Sequence, residues 1–315
     1  MGRRLDWHMR TAAVVIDWGR PLETKAALES LAAMTPRPDV LIRVDNDSPG
    51  IGVAPVHESA PDGTLFVDLP ANVGFAAAVN LGMEVALANG ADWTILLNND
   101  ATVDPLCLSQ CIDEAKRHER VAVIGPAVAF EDRPNTLWFG GGEVSPWLAF
   151  TRHRGLMRSS ATPPKSSRTD FVSGCCFIVS TAAWRSVGPF RADYFAYYED
   201  AEWCQRAYAQ GWQCRYVGDV LCLHKVSVSL NQRGNIGLSS GMAYYLARNP
   251  LRFALETRPI TRRITRVFGI LVIWSAYNAW RALKARDMRV AAAYLQGLMD
   301  GMRGQMGKRV IENAN

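Results

Sequence analysis

Four short polar clusters each follow an apolar run. Asp17-Trp18 ends the run 12–17, and Asp45-Asn46-Asp47-Ser48 ends the run from Val40. Asn72-Val73-Gly74-Phe75 follows the run 64–70, and Asn98-Asn99-Asp100 follows Thr94-Ile95-Leu96-Leu97. One such cluster reads as a turn, because Asn and Asp bond their own backbone and tolerate left-handed dihedrals. Four read as a ligand site, because ligands of open α/β sheets sit outside the carboxyl ends of the strands. Asp45, after the second strand, stands where a carboxylate bonds a ribose hydroxyl or a base edge. No GxGxxG follows the first strand and no GxxxxGK[ST] occurs anywhere. Phosphates then need another holder, and a divalent metal is the obvious one. Asp100 is its best carboxylate, since Mg²⁺ or Mn²⁺ on a diphosphate takes only one or two protein ligands.

A second group lies downstream. Glu199, Asp200 and Glu202 stand at a helix start, where the macrodipole alone would favour them. The aromatic run Tyr194-Phe195-Ala196-Tyr197-Tyr198 precedes them. Apolar surroundings raise a carboxylate's pKa toward the range of a general base. His224 ends an apolar strand. It reads either as a structural hydrogen-bonder or, beside a metal, as an imidazole ligand.

The elements that position these residues alternate. Strand patterns cover 12–17, 40–48, 64–70, 93–100 and 121–128, with helical stretches between them from Pro21, over 74–90 and from Pro105. That alternation predicts an α/β fold with a parallel sheet covered by helices on both faces. The segments 138–144 and 151–168 read as turns and a polar loop. The segment 169–180 reads as a strand broken by Gly174, 198–212 as a helix, 213–227 as two short strands, and the chain after Ser240 as helical to about Met306.

The composition, 49% hydrophobic and 21% charged over 315 residues, fits a globular chain with a substantial core. Seven Cys with no CxxC pair argue against a disulfide framework and against a zinc cluster, and fit a reducing cytoplasm. The net charge is +5, yet residues from Arg248 onward carry 13 Lys and Arg against 4 Asp and Glu. The body is therefore mildly acidic and the C-terminal segment basic, which suggests a surface-binding extension. The uncharged stretch 267–280 is too short to cross a bilayer with assurance. It reads as a core helix, or as an interfacial helix with Trp274, Tyr277 and Trp280 at headgroup level and flanking Arg on anionic lipid. The second reading is preferred, and no nucleic-acid-binding module is recognised.

The order of motifs resembles the family 2 glycosyltransferases, in particular their rhamnosyltransferase-like branch. The matching residues are Val44-Asp45-Asn46-Asp47-Ser48, Asn72-Val73-Gly74-Phe75 through Asn80, Leu96-Leu97-Asn98-Asn99-Asp100, Phe171-Val172-Ser173-Gly174, Glu199-Asp200-Ala201-Glu202-Trp203-Cys204, and His224. They span about residues 12 to 228. The resemblance implies a GT-A fold: a Rossmann-like, mostly parallel sheet flanked by helices, with a helical C-terminal extension. It implies a catalytic domain over 1–240, with a nucleotide-sugar half at about 11–128 and an acceptor half at about 129–240, and a basic extension over 241–315. It implies inverting transfer from a nucleotide sugar, dTDP-rhamnose or a UDP-sugar, to a glycan or lipid-linked acceptor in surface polysaccharide assembly.

The resemblance also assigns residues. Asp17, Trp18, Asp45, Ser48, Asn72, Gly74, Asn80, Asn98 and Asn99 would line the donor pocket, with Trp18 available to stack on a base. Asp100 and His224 would hold Mg²⁺ or Mn²⁺. Asp200, beside Glu199, would deprotonate the acceptor hydroxyl, and Ser173, Gly174 and Trp203 would line the sugar and acceptor pocket. Asp17-Trp18-Gly19 departs from the branch's Asn-Tyr-Asn. The expected location is cytoplasmic, peripheral on the inner face of the membrane. Two other classes remain: a nucleotide-sugar-binding scaffold that has lost transfer, and a nucleotidyltransferase. The second would want a Gly- and Lys/Arg-rich loop after the first strand, and "DWGRPLETK" is a poor version of that.

Overall fold

The computed structural model describes residues 9–48, 53–147, 150–226, 239–256, 261, 263–274, 276 and 288–309. The first half alternates β1 (Thr11–Asp17), α1 (Pro21–Ala32), β2 (Val40–Asp45), α2 (Val53–Ser59), β3 (Thr64–Asp68), α3 (Phe75–Ala88) and β4 (Trp93–Asn98). β1 and β2 are buried along their whole length, as strands covered on both faces must be. Pro21 opens α1 with its fixed φ. α3 lies close to the sheet at Gly82, where an added Cβ would come 2.4 Å from Val14 Cγ1.

The second half holds β5 (Ala101–Val103), α4 (Cys107–Lys116), β6 (Val121–Phe130), β7 (Leu137–Phe139), β8 (Gly142–Val144), β9 (Thr151–His153), β10 (Ser167–Arg168), β11 (Cys176–Ser180), α5 (Thr181–Val187), α6 (Glu199–Ala209) and β12 (Gln213–His224). The main sheet runs β10-β12-β6-β11-β4-β1-β2-β3. Pairs among β1 to β4 are parallel, as is β12 with β6. β11 is reversed and pairs antiparallel with both β4 and β6. The sheet is therefore mixed and mostly parallel.

Several local readings change. The segment read as turns and loop contains the hairpin β8–β9, admitted by Gly141 at φ 99° and by Gly142 seated on the Phe171 ring. The two strands expected over 213–227 are one strand, irregular between Val217 and Leu221. α5 carries its own start signal: Ser180 accepts from Ala183 N–H.

The C-terminal helices are α7 (Ser240–Glu256), α8 (Arg263–Gly269), a π-helical turn (Ile270–Trp274) and α9 (Met288–Met302). One face of α7, with Ala243, Ala247, Leu251, Phe253 and Ala254, is buried in the same core as the sheet. α9 lies against α7 at Gly297 and Gly301, where an added Cβ would meet the carbonyls of Tyr244 and Arg248. The expected interfacial stretch is described only in part. Tyr277, Trp280 and the flanking Arg262, Arg281, Lys284 and Arg286 lie outside the described residues.

Candidate active site

β1 has β2 on one side and β4 on the other. The chain steps outward through β2 and β3, then returns across β1 to β4. That reversal opens a crevice at the carboxyl ends of β1 and β4, where open α/β sheets bind ligands. Register brings Ile16 opposite Asn98, Asp17 opposite Asp45, and Asp45 opposite Asp68.

One buried guanidinium organises this edge. Arg43 donates to Asp17 at 2.7 and 3.2 Å and to Asp68 at 3.1 Å, and its Nη2 lies 3.3 Å from Asp45. Asp45 also accepts from the Ser48 N–H at 3.0 Å and from the Ser48 hydroxyl at 2.5 Å. Ser48 Oγ in turn accepts from Gly19 N–H. Asn99 donates to Asp17 at 3.2 Å. Asn72 Oδ1 accepts from Asn46 and from Gly74 N–H, which ties the loop after β3 to the loop after β2. Asp17 and Asp45 are 0% and 2% exposed. They hold the loops in place, and Trp18 at 55% exposure is the surface those loops offer.

The second cluster forms because β5 pairs with the end of β12, setting Ala101 opposite His224. His224 Nε2 then lies 3.0 Å from Asp100 Oδ1, while its Nδ1 is buried without a hydrogen-bond partner. Trp138 meets the imidazole edge-on at 4.5 Å, and Arg20 approaches Asp100 at 3.9 Å. A cavity of about 160 Å³ opens beside them, lined among others by Glu23, Asn99, Asp100 and Lys225. Among the described residues no three His, Cys, Asp or Glu side chains form a cage for a metal. The pair still fits a divalent ion: one carboxylate oxygen and one imidazole nitrogen converge, and a hard cation on a diphosphate draws its other ligands from phosphate and water. Asn98 is held through its backbone, its N–H donating to Cys175 O at 3.0 Å.

The third cluster is the carboxylate pair. Asp200 Oδ2 accepts from Gly174 N–H at 2.8 Å and Oδ1 from Ala201 N–H at 2.6 Å. Glu199 is 5% exposed and its Oε2 is buried without a partner. Burial, then the neighbouring Asp200 charge, pushes Glu199 up to about 8. Burial also raises Asp200, but its two N–H donors pull the other way. Two adjacent buried carboxylates do not both ionise readily, and the one with N–H donors is the one that does. Asp200 is therefore the charged member near neutral pH.

The backbone before this pair is strained. Ala196 N–H donates to Tyr194 O at 2.8 Å across Phe195, whose φ 66° and ψ −62° make a γ-turn of the uncommon hand. Tyr197 and Tyr198 follow at φ 70° and 75°. Such conformations cost about 1–3 kcal/mol each and persist only where the surroundings impose them.

Not every expected residue reaches a pocket. Trp203 is fully buried, its ring against Trp184, Phe177 and Phe190 and its indole N–H on Gly188 O, so it supports α6 from beneath. Asn80 exchanges two hydrogen bonds with the backbone of Phe190, joining α3 to the segment that leads into the carboxylates. Ser173 is buried and Gly174 serves Asp200 through its N–H. The sequence reading missed Arg43, Arg248 and Asn249. Their signal was a polar side chain set in an apolar register, "VLIRVD" for the first and "YLARNPLRF" for the other two.

The profile of the Glycosyl transferase family group 2 matches residues 93–296, and the chain belongs to that family. The chain is 38% identical over 131 residues to the galactofuranosyltransferase GlfT1 of Mycobacterium tuberculosis, a match covering 40% of this chain and 42% of that one. It thus spans under half the length of that relative. It is 28% identical over 222 residues to the N-acetylglucosaminyl-diphospho-decaprenol L-rhamnosyltransferase of the same species, covering 62% and 70%. Among solved structures, the mannosyltransferase PcManGT of Pyrobaculum calidifontis, in complex with GDP-Man and Mn²⁺, superposes with a TM-score of 0.57 at 12% identity, covering 94% and 88%. TarS of S. aureus in complex with UDP-GlcNAc gives 0.57 at 13% identity, covering 94% and 81%. The fold is GT-A, as the motifs implied.

Proposed function

We propose that the protein is an inverting glycosyltransferase that moves a sugar, rhamnose first among the choices, from a nucleoside-diphosphate donor to a hydroxyl of a glycan or lipid-linked acceptor. The observation that carries this reading is the meeting of Asp100 and His224 at the switch point of the sheet. Asp200 takes the proton from the attacking hydroxyl, and the N–H groups of Gly174 and Ala201 hold its carboxylate in place. Trp18 offers an apolar face for the base. Asp45, Ser48, Asn72 and Gly74 fix the loops that border the donor. Asp100 and His224 would hold Mg²⁺ or Mn²⁺, which supplies Lewis-acid stabilisation of the leaving diphosphate when bound. The choice of rhamnose is supported by similarity to an N-acetylglucosaminyl-diphospho-decaprenol L-rhamnosyltransferase.

The acceptor side points to a membrane. α8 and the π-helical turn expose Ile264 at 83% and Phe268 at 63%, with Val272 and Ile273 also exposed, inside the basic C-terminal segment. An apolar face flanked by Arg suits an anionic lipid surface. No helix among the described residues is long and apolar enough to cross a membrane. All seven Cys are free thiols, which supports a reducing compartment.

Calorimetric titration with dTDP, UDP and GDP, each with and without Mn²⁺, tests the donor and metal readings together. One nucleotide should bind at least tenfold tighter with Mn²⁺, and Asp100→Ala should erase the difference. Equal affinity with and without Mn²⁺ in the parent removes the metal from the mechanism.

A further inference from the structure

We propose that Arg248 and Asn249 of α7 are positioning residues, holding the backbone of 193–198 so that Asp200 meets the donor loop in register. The inference rests on Asp200 being the base. Asn249 is 0% exposed, and its amide donates to three carbonyls: Tyr194 at 3.1 Å, Ala196 at 2.8 Å and Tyr197 at 2.7 Å. Arg248 is 1% exposed and donates to Tyr194 O at 2.9 Å, Asp193 O at 3.2 Å, Gly307 O at 2.6 Å and Asn249 Oδ1 at 2.9 Å. Four of the five carbonyls from Asp193 to Tyr197, all but Phe195 O, are thus served by two side chains of one helix. Buried carbonyls in irregular backbone must find donors, and a sheet or helix partner is not available to a γ-turn.

The contacts bracket the residues with positive φ, Phe195, Tyr197 and Tyr198, and of the four acceptors Tyr197 is itself one of them. Ala196 and Tyr197 flank or occupy that run, and Phe195 stacks on Tyr245 of α7 at 5.0 Å and 17°. Arg248 lies over the same Tyr245 ring at 4.8 Å. The skipped carbonyl has another use: Phe195 O accepts from Ala76 N–H at 3.3 Å, at the start of α3. The Phe195 ring also fills the space where a side chain at Gly74 would stand. The segment therefore touches the donor loop on one side and α7 on the other. The C-terminal tail closes the same clasp, with Gly307 N–H on Asp193 O at 2.7 Å and Lys308 Nζ on Asn72 O at 2.8 Å. Released from α7, the segment would relax toward ordinary dihedrals, and Asp200, two residues beyond Tyr198, would move with it.

The test compares three α7 variants of the full chain with Asp200→Asn, assayed for transfer from dTDP-rhamnose to a short-chain GlcNAc-diphosphate lipid, or for nucleotide release from whichever donor binds in the titration above. Asn249→Ala should lower kcat at least thirtyfold, with the affinity for dTDP and Mn²⁺ within threefold of the parent. Hydrogen exchange should quicken in the peptide 193–204 and not in α1. Arg248→Lys, which keeps the charge but lacks the planar fork, should lose kcat by a smaller factor in a chain that folds. Leu251→Ala, a packing change on the same helix, should lower Tm while leaving kcat within twofold. If Asn249→Ala and Arg248→Lys keep kcat within threefold, or if Leu251→Ala loses as much as they do, the positioning role is overturned. If Asp200→Asn retains full transfer, the reading of the base fails instead, whatever the α7 variants do.

Discussion

At the scale of residues, Glu199 and Asp200 are neighbours with opposite tasks. The folded protein holds a proton on Glu199 up to about pH 8, while an unfolded chain gives it up near the ordinary value of 4.5. The folded state binds more protons in that window, so this group's contribution to stability is complete below the unfolded pKa and declines as pH rises toward 8. Glu199→Gln removes that decline. Its Tm advantage over the parent should widen from pH 5 to pH 8 in thermal melts, while transfer falls less than tenfold. Asp200→Asn should cost about a thousandfold in kcat, the scale of a lost general base, with nucleotide binding preserved. The reverse pattern would exchange the two roles. The carboxylates were legible as residue types at a helix start. Which one carries the proton was not, because that depends on Gly174 N–H, which the fold brings from another element. Asp17 and Asp45 show the same limit: their place at strand ends was legible, and their burial under Arg43 was not.

At the scale of elements, the parallel half of the sheet was legible because its strands are continuous apolar runs separated by helical stretches. The reversal of β11 was not, since apolar runs look alike in either direction. The pairing of β5 with β12, which joins Asp100 to His224 across 124 residues, is likewise a matter of register. The thiols make the same point. Cys107, Cys111, Cys175, Cys176 and Cys222 are scattered in sequence yet linked by sulfur contacts in one buried cluster. The exposed face of α8 gives the prediction that belongs here. In sedimentation with phosphatidylglycerol vesicles, the parent should pellet, and Ile264→Glu with Phe268→Glu should leave it in the supernatant. A parent that stays in the supernatant at low salt removes the lipid surface from the proposal.

At the scale of the whole molecule, the basic charge of the C-terminal segment suggested a surface-binding extension beyond a catalytic domain that ends near 240. The buried face of α7 instead shares the core of the sheet, and Arg248 and Asn249 of that helix hold the backbone at Tyr194 and Tyr197. The family profile also continues across α7, to residue 296. A chain ending at Ser239 should therefore lose its cooperative thermal transition and bind hydrophobic dye. A cooperative melt within about 5 °C of the parent would restore a boundary near 240. Composition could show where the charge lies, but the apolar stripe of α7 looks the same whether it meets a core or a bilayer.

The reversed strand has a further consequence. Because β11 runs against β4, its beginning lies at the ligand edge, with Cys175 O receiving Asn98 N–H. On the proposed reading, the turn that carries Ser173 and Gly174 arrives beside the metal pair. The β4–β11 ladder is thus one of the seams that join the two halves of the sheet, beside the Asn80–Phe190 and Phe195–Ala76 hydrogen bonds. On that reading, changes between β6 and β11 should alter which hydroxyl is decorated and leave the preferred nucleotide in titration as it was.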